Sequence, residues 1–142
     1  MKQTQPAQND FPFLTDEYHI YRVFEDNQIS DVDVGWSKFV FELHADLKHS
    51  NQEVDGLTEF DEKKIKLEMS LPDSEARETI MHEIIHVLLE GVGLDERLYD
   101  GKFIKTTNEN LANTLAKQFR LLDNLNPGLL SLLYPNVQTT FN

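Results

Sequence analysis

From Pro72 to Gly93 the chain sets apolar residues on both flanks of a narrow polar strip, and no other feature limits its fold as strongly. Ile80, Ile84, Val87 and Leu88 recur at helical spacing, and Met81, Ile85 and Leu89 form a second stripe. A helix apolar on most of its circumference must be largely buried. Pro72-Asp73-Ser74-Glu75 supplies the start, because proline suits a first turn and acidic side chains complement the positive helix end. Gly91 and Gly93 supply the stop. The rest of the chain must therefore build a core around this helix.

The polar strip carries His82-Glu83-Ile84-Ile85-His86. Residues four apart lie above one another on a helix, roughly 5–6 Å apart at Cβ. Two imidazoles so placed can converge on one tetrahedral Zn²⁺, each nitrogen at about 2.0–2.1 Å. Glu83 borders the same face and can hold a carboxylate beside the water that a metal activates, the position of a general base. Beside a core, polar groups left without partners cost on the order of several kcal/mol each. Two plainer readings compete: a surface helix that happens to carry two histidines, and a metal-free domain in which His82 and His86 bond to neighbours.

A catalytic zinc needs a third protein ligand, with the fourth position open. All five histidines (His19, His44, His49, His82 and His86) lie at or before position 86, and no third histidine follows the motif. The third ligand is therefore a downstream carboxylate or, as the weaker option, an upstream histidine. Glu109 is the leading candidate. It opens a second expected helix, Asn108 to about Leu125, and Ala112 and Ala116 give its face small residues suited to close packing on the first helix. Thr106-Thr107-Asn108-Glu109 also fits a capping box, in which Glu109 reaches back to the Thr106 backbone N–H. Asp95, Glu96 and Asp100, on the loop between the helices, are fallback ligands, and Glu90 reads as a solvated helix end. Zn²⁺ suits two imidazoles and one carboxylate, although Co²⁺, Ni²⁺ or Mn²⁺ can occupy such a set.

The remainder reads as support. A chain of 142 residues suits one domain, expected over residues 18–135, with a polar, Gln-rich tail at 1–17 and a second tail at 136–142. Tyr18 to Phe24, rich in aromatic and β-branched residues, reads as a strand. Trp36 to Ala45 alternates, with Phe39, Phe41 and Leu43 on one face and Lys38, Glu42 and His44 on the solvent face. Leu57 to Phe60 and Ile65 to Met69 flank the turn Asp61-Glu62-Lys63-Lys64 as a hairpin, whose outer strand could take up an extended peptide, while the alternating Lys and Glu could equally keep an edge strand from aggregating. Leu111, Leu115, Gln118, Leu122 and Leu125 form the core stripe of the second helix, with Phe119 beside it. Asn126-Pro127-Gly128 then caps a short apolar turn over Leu129 to Leu133. Tyr99 and Tyr134 are weaker candidates for stabilising an oxyanion, with core-edge packing as their default role.

Thirteen basic and 25 acidic residues leave a net charge of −12, which disfavours nucleic acid as a partner. The same charge suits an acidic module that docks on a basic partner, the second class of function considered, with a structural or vestigial zinc. The chain contains no cysteine, no signal-peptide pattern and no apolar run of membrane-spanning length, which together fit a cytoplasmic protein without membrane association.

The order of hairpin, Glu78-Thr79-Ile80-Met81-His82-Glu83-Ile84-Ile85-His86, Gly-containing turn, Glu-x-x-Ala helix and Asn126-Pro127-Gly128-Leu129-Leu130 resembles the small phage-associated zincin metallopeptidases, of the ImmA/IrrE-like minigluzincin type. The likeness spans about Val40 to Tyr134 and is sharp at 78–91 and 109–116. It implies an α+β zincin-like fold, a small antiparallel or mixed sheet packed on a buried motif helix and a second C-terminal helix. It further implies zinc held by His82, His86 and Glu109, with Glu83 as general base, a protein or peptide substrate, and the cytoplasm of a bacterial host cell. A longer acidic N-terminus and the loop from Leu94 to Lys105 depart from that pattern.

Overall fold

The computed structural model describes residues 10–93 and 108–135, and for 108–110 the backbone alone. The architecture is α+β. A 3-10 turn at Pro12–Leu14 leads into α1 (Ile20–Asp26), followed by β1 (Asp31–Asp33), β2 (Lys38–His44), β3 (Lys48–His49), β4 (Gln52–Glu53), β5 (Gly56–Glu59) and β6 (Lys64–Glu68). Three further helices follow: α2 (Asp73–Gly91), α3 (Asn108–Leu125) and α4 (Leu129–Leu133).

The main sheet is mixed, in the order β1-β2-β6-β5, and β3 and β4 form a separate two-stranded ribbon. β2 and β6 run parallel, with Phe41 opposite Ile65 and Leu43 opposite Leu67, while β5 returns antiparallel on β6 with Thr58 opposite Ile65. The expected hairpin is present, and Ile65 and Leu67 turn inward. Leu43, expected inward with Phe39 and Phe41, is instead 38% exposed, although Leu67 opposite it on β6 is buried. His44 is half-buried, 3.1 Å from its neighbour across one residue, Glu42.

α2 lies against β5, β6 and α1, and its buried side chains include Ile80, Met81, Ile84, Val87 and Leu88. Arg77 ties it to the C-terminal part of the chain. Its Nε donates to Asp73 at 3.0 Å, and Nη1 donates to the Leu132 and Leu133 carbonyls at the end of α4. A cation at a helix C-terminus satisfies carbonyls that have no intrahelical partner.

Two expectations fail in the N-terminal region. Residues 18–24 are not a strand: from Ile20 they form α1, with Ile20, Tyr21 and Phe24 buried at helical spacing. Capping overrides the local β preference. His19 Nδ1 accepts the Tyr21 N–H at 3.1 Å, which leaves the ring proton on Nε2 to donate to the Leu71 carbonyl at 2.9 Å, and Asp73 accepts the Ile20 N–H at 2.7 Å. The tail expected over 1–17 is also too long. Phe13 is buried in the core, edge-on to His19 and Tyr21, and Phe11 packs beside it. Two phenylalanines supply enough apolar surface to dock a segment whose average composition is polar. Residues 1–9 and 136–142 lie outside the described residues.

α3 has the expected bounds, but its stripe is uneven. Leu122 is fully buried, Leu111, Leu115, Gln118 and Phe119 are half-buried, and Leu125 is 38% exposed. Ala112 and Ala116 face solvent and do not make the close helix contact expected of them.

Asn126 anchors the end of α3 to the sheet. Its amide donates to the Asp33 and Leu122 carbonyls at 2.7 and 2.9 Å and accepts the Asp33 N–H at 2.8 Å. One side chain thus pairs with β1 as a neighbouring strand would, covering backbone groups that an open edge leaves unpaired. Asn126→Ala leaves the half-buried Asp33 N–H and carbonyl without these partners, and each such hydrogen bond contributes about 0.5–1.5 kcal/mol. The expected result is a lower urea midpoint with an unchanged m-value, read by equilibrium unfolding.

Candidate metal centre

α2 presents its polar strip at the surface next to β5. Burial of Ile80, Ile84, Val87 and Leu88 fixes the rotation of the helix, so His82 and His86 project together on the outward side. The His82 side chain is 66% exposed, and His86 is half-buried. Their Nε2 atoms are 3.1 Å apart, with ring centroids 4.7 Å apart and ring planes at 78°.

That separation suits a cation. Two nitrogens bound tetrahedrally at about 2.0–2.1 Å stand about 3.3 Å from each other. With one proton between them the facing nitrogens form a hydrogen bond. With both lone pairs free they form a two-point cation site.

Glu83 differs from the histidines in its environment. It is 6% exposed, one of two buried polar or charged residues among those described. Thr58 Oγ1 on β5 donates to Oε1 at 3.1 Å, and Oε2 lies 3.8 Å from His82 Nε2. Burial beside apolar neighbours penalises a carboxylate unless it is bonded, and the hydroxyl of Thr58 meets that requirement.

The close approach of β5 to α2 depends on Gly56. A Cβ at this position would stand 2.7 Å from Thr79 Cγ2 and 3.0 Å from Glu83 Cγ. The absence of a side chain lets the strand come near enough for Thr58, two residues on and on the same strand face, to reach Glu83. An open cleft of about 330 Å³ runs along this junction, lined by Asp55, Gly56, Glu75, Glu78, Thr79, His82 and Glu83.

His82, Glu83 and His86 therefore form a group that could hold a metal ion, each offering a ligand atom within 4.8 Å of the others. Upstream histidines do not join it. His19 is buried with both ring nitrogens engaged, His44 is beside Glu42, and His49 is exposed on β3. Glu90 is also outside the group; it is half-buried with Oε2 enclosed, not a solvated helix end.

Glu109 is in the first turn of α3, and its side chain lies outside the described residues, as do Thr106, Asp95, Glu96, Asp100 and Tyr99. Tyr134 is described, and it borders two apolar grooves with Met81 and Phe119 or with Arg77 and Leu132, not the cleft at His82. Thr58 and Gly56 carry no signal when read as strand residues alone. Their shared face on the first strand of the hairpin that precedes the motif helix is the pattern that marks them.

No helix among the described residues is long and apolar enough to cross a membrane. No family model, no curated protein and no solved structure matches the chain.

Proposed function

We propose that the protein is a zinc-dependent metallopeptidase of zincin-like fold, with His82 and His86 as ligands, Glu109 as the third, and Glu83 as general base. The observation that carries this reading is the facing pair of Nε2 atoms at 3.1 Å beside a buried, anchored carboxylate. Structural histidines on an exposed helix face have no need of such a neighbour.

Zinc, when bound, supplies Lewis acidity, polarising a carbonyl and lowering the pKa of water towards about 7. The protein's own groups do the rest. Glu83 Oε2, on the side of the carboxylate nearer His82, takes a proton from the attacking water and passes it to the departing amine. Thr58 stays bonded to Oε1, so the proton-carrying oxygen is the other one. β5 lies at one edge of the main sheet, and an extended peptide can pair with a sheet edge through its backbone. A peptide docked along β5 would lie beside α2 and the cleft.

The test is cleavage of a mixed peptide library by zinc-loaded protein, read by mass spectrometry with and without a chelator. Cleavage abolished by the chelator and restored by zinc is the expected result. Intact peptides with zinc bound would replace the peptidase reading with that of an acidic docking module.

A further inference from the structure

We infer that Thr58 is a positioning residue for the reaction proposed above, and the inference rests on that reading. It holds the Glu83 carboxylate in one orientation, with Oε1 committed to the strand and Oε2 free towards the histidine pair.

The terminal bond of a glutamate side chain joins sp³ to sp² carbon, and its profile is broad and roughly two-fold, so the carboxylate has no strong orientation of its own. A general base needs one oxygen held within hydrogen-bond reach of the proton it takes. Burial restricts where the Glu83 side chain runs, but it does not decide which way the carboxylate plane turns.

The Thr58 hydroxyl makes that choice by donating to Oε1 at 3.1 Å. Its own placement is firm. Thr58 pairs with Ile65 in the β5–β6 ladder, and Ile65 is fully buried. A β-branched side chain is stiff at χ1, which suits a hydroxyl that must point in one direction. Gly56 permits the approach, because a Cβ there would press on both Thr79 and Glu83. Gly56 and Thr58 therefore act as a pair: one sets the distance between strand and helix, and the other makes the bond across it.

The test compares zinc-loaded Thr58→Val and Thr58→Ser with the parent protein. Valine keeps the shape and removes the donor, and serine restores the donor. In crystal structures of the two variants, the Glu83 carboxylate is expected to lose its single orientation in Thr58→Val and to keep it in Thr58→Ser. In peptide cleavage, Thr58→Val is expected to lower kcat roughly 10- to 100-fold, the scale of a misplaced catalytic group, with KM and zinc content unchanged. Thr58→Ser recovers most of that loss. An unmoved carboxylate in Thr58→Val overturns the inference whether or not the protein cleaves peptides. An unchanged kcat in Thr58→Val, from a parent that does cleave, overturns it and leaves the peptidase reading standing. Absence of cleavage by the parent instead counts against the peptidase reading.

Discussion

Glu83→Gln is expected to keep zinc and lose turnover, with kcat falling roughly 10²- to 10⁴-fold, the usual range for removal of a general acid–base group. Glutamine has nearly the same shape and can still accept from Thr58 Oγ1, so the packing between β5 and α2 survives. It cannot take a proton from water at neutral pH. Two measurements on one preparation check this outcome: metal content by elemental analysis, and kcat on a peptide that the parent cleaves. Full activity in Glu83→Gln would remove the base from this position. Loss of zinc together with activity would make Glu83 a ligand, a role its place in the cation group also allows.

His82→Ala acts on the other half of the site. Its imidazole is largely exposed, so truncation removes little core packing and the metal-free fold should hold. The response to zinc should change instead. Zinc at a hundredfold excess over its dissociation constant stabilises a binding-competent fold by about 2.7 kcal/mol. In a domain of this size that raises Tm by roughly 5–15 °C. The parent should show this rise and His82→Ala should show almost none, as read by thermal unfolding with and without the metal. An equal rise in both would place the cation somewhere other than between the two rings.

The readable parts of the sequence were those in which one periodicity ran long enough to exclude the other. α2 has two apolar stripes over five turns, and its burial follows them residue by residue at Ile80, Ile84, Val87 and Leu88. β6 alternates cleanly after a polar turn, with Ile65 and Leu67 buried between half-buried neighbours. Short segments gave way to their surroundings. Tyr18 to Phe24 has the composition of a strand, but the His19 and Asp73 side chains cap its amides and the core takes Ile20, Tyr21 and Phe24 from a helix. Phe13 was hidden by the polar residues around it, since an average over the first seventeen positions cannot reveal one docked ring.

At the site, the histidine pair and the neighbouring carboxylate follow directly from helical spacing. The Thr58–Glu83 bond does not. It joins residues 25 apart and exists because Gly56 lets a strand close on a helix, a tertiary event without a local signature. The small-residue face of α3 misled for a similar reason. Ala112 and Ala116 could suit a helix contact, yet α3 joins the core through Leu122 and the sheet through Asn126 near its other end.

In the proposed site the two facing nitrogens hold a cation together with an acidic oxygen from α3. Crystals grown with zinc, with data collected above and below the zinc absorption edge, test it most directly. One anomalous peak is expected about 2.0–2.1 Å from Nε2 of His82 and of His86, with a Glu109 oxygen completing the protein ligands. Absence of a peak between the rings, with the histidines still bonded to each other, would contradict it.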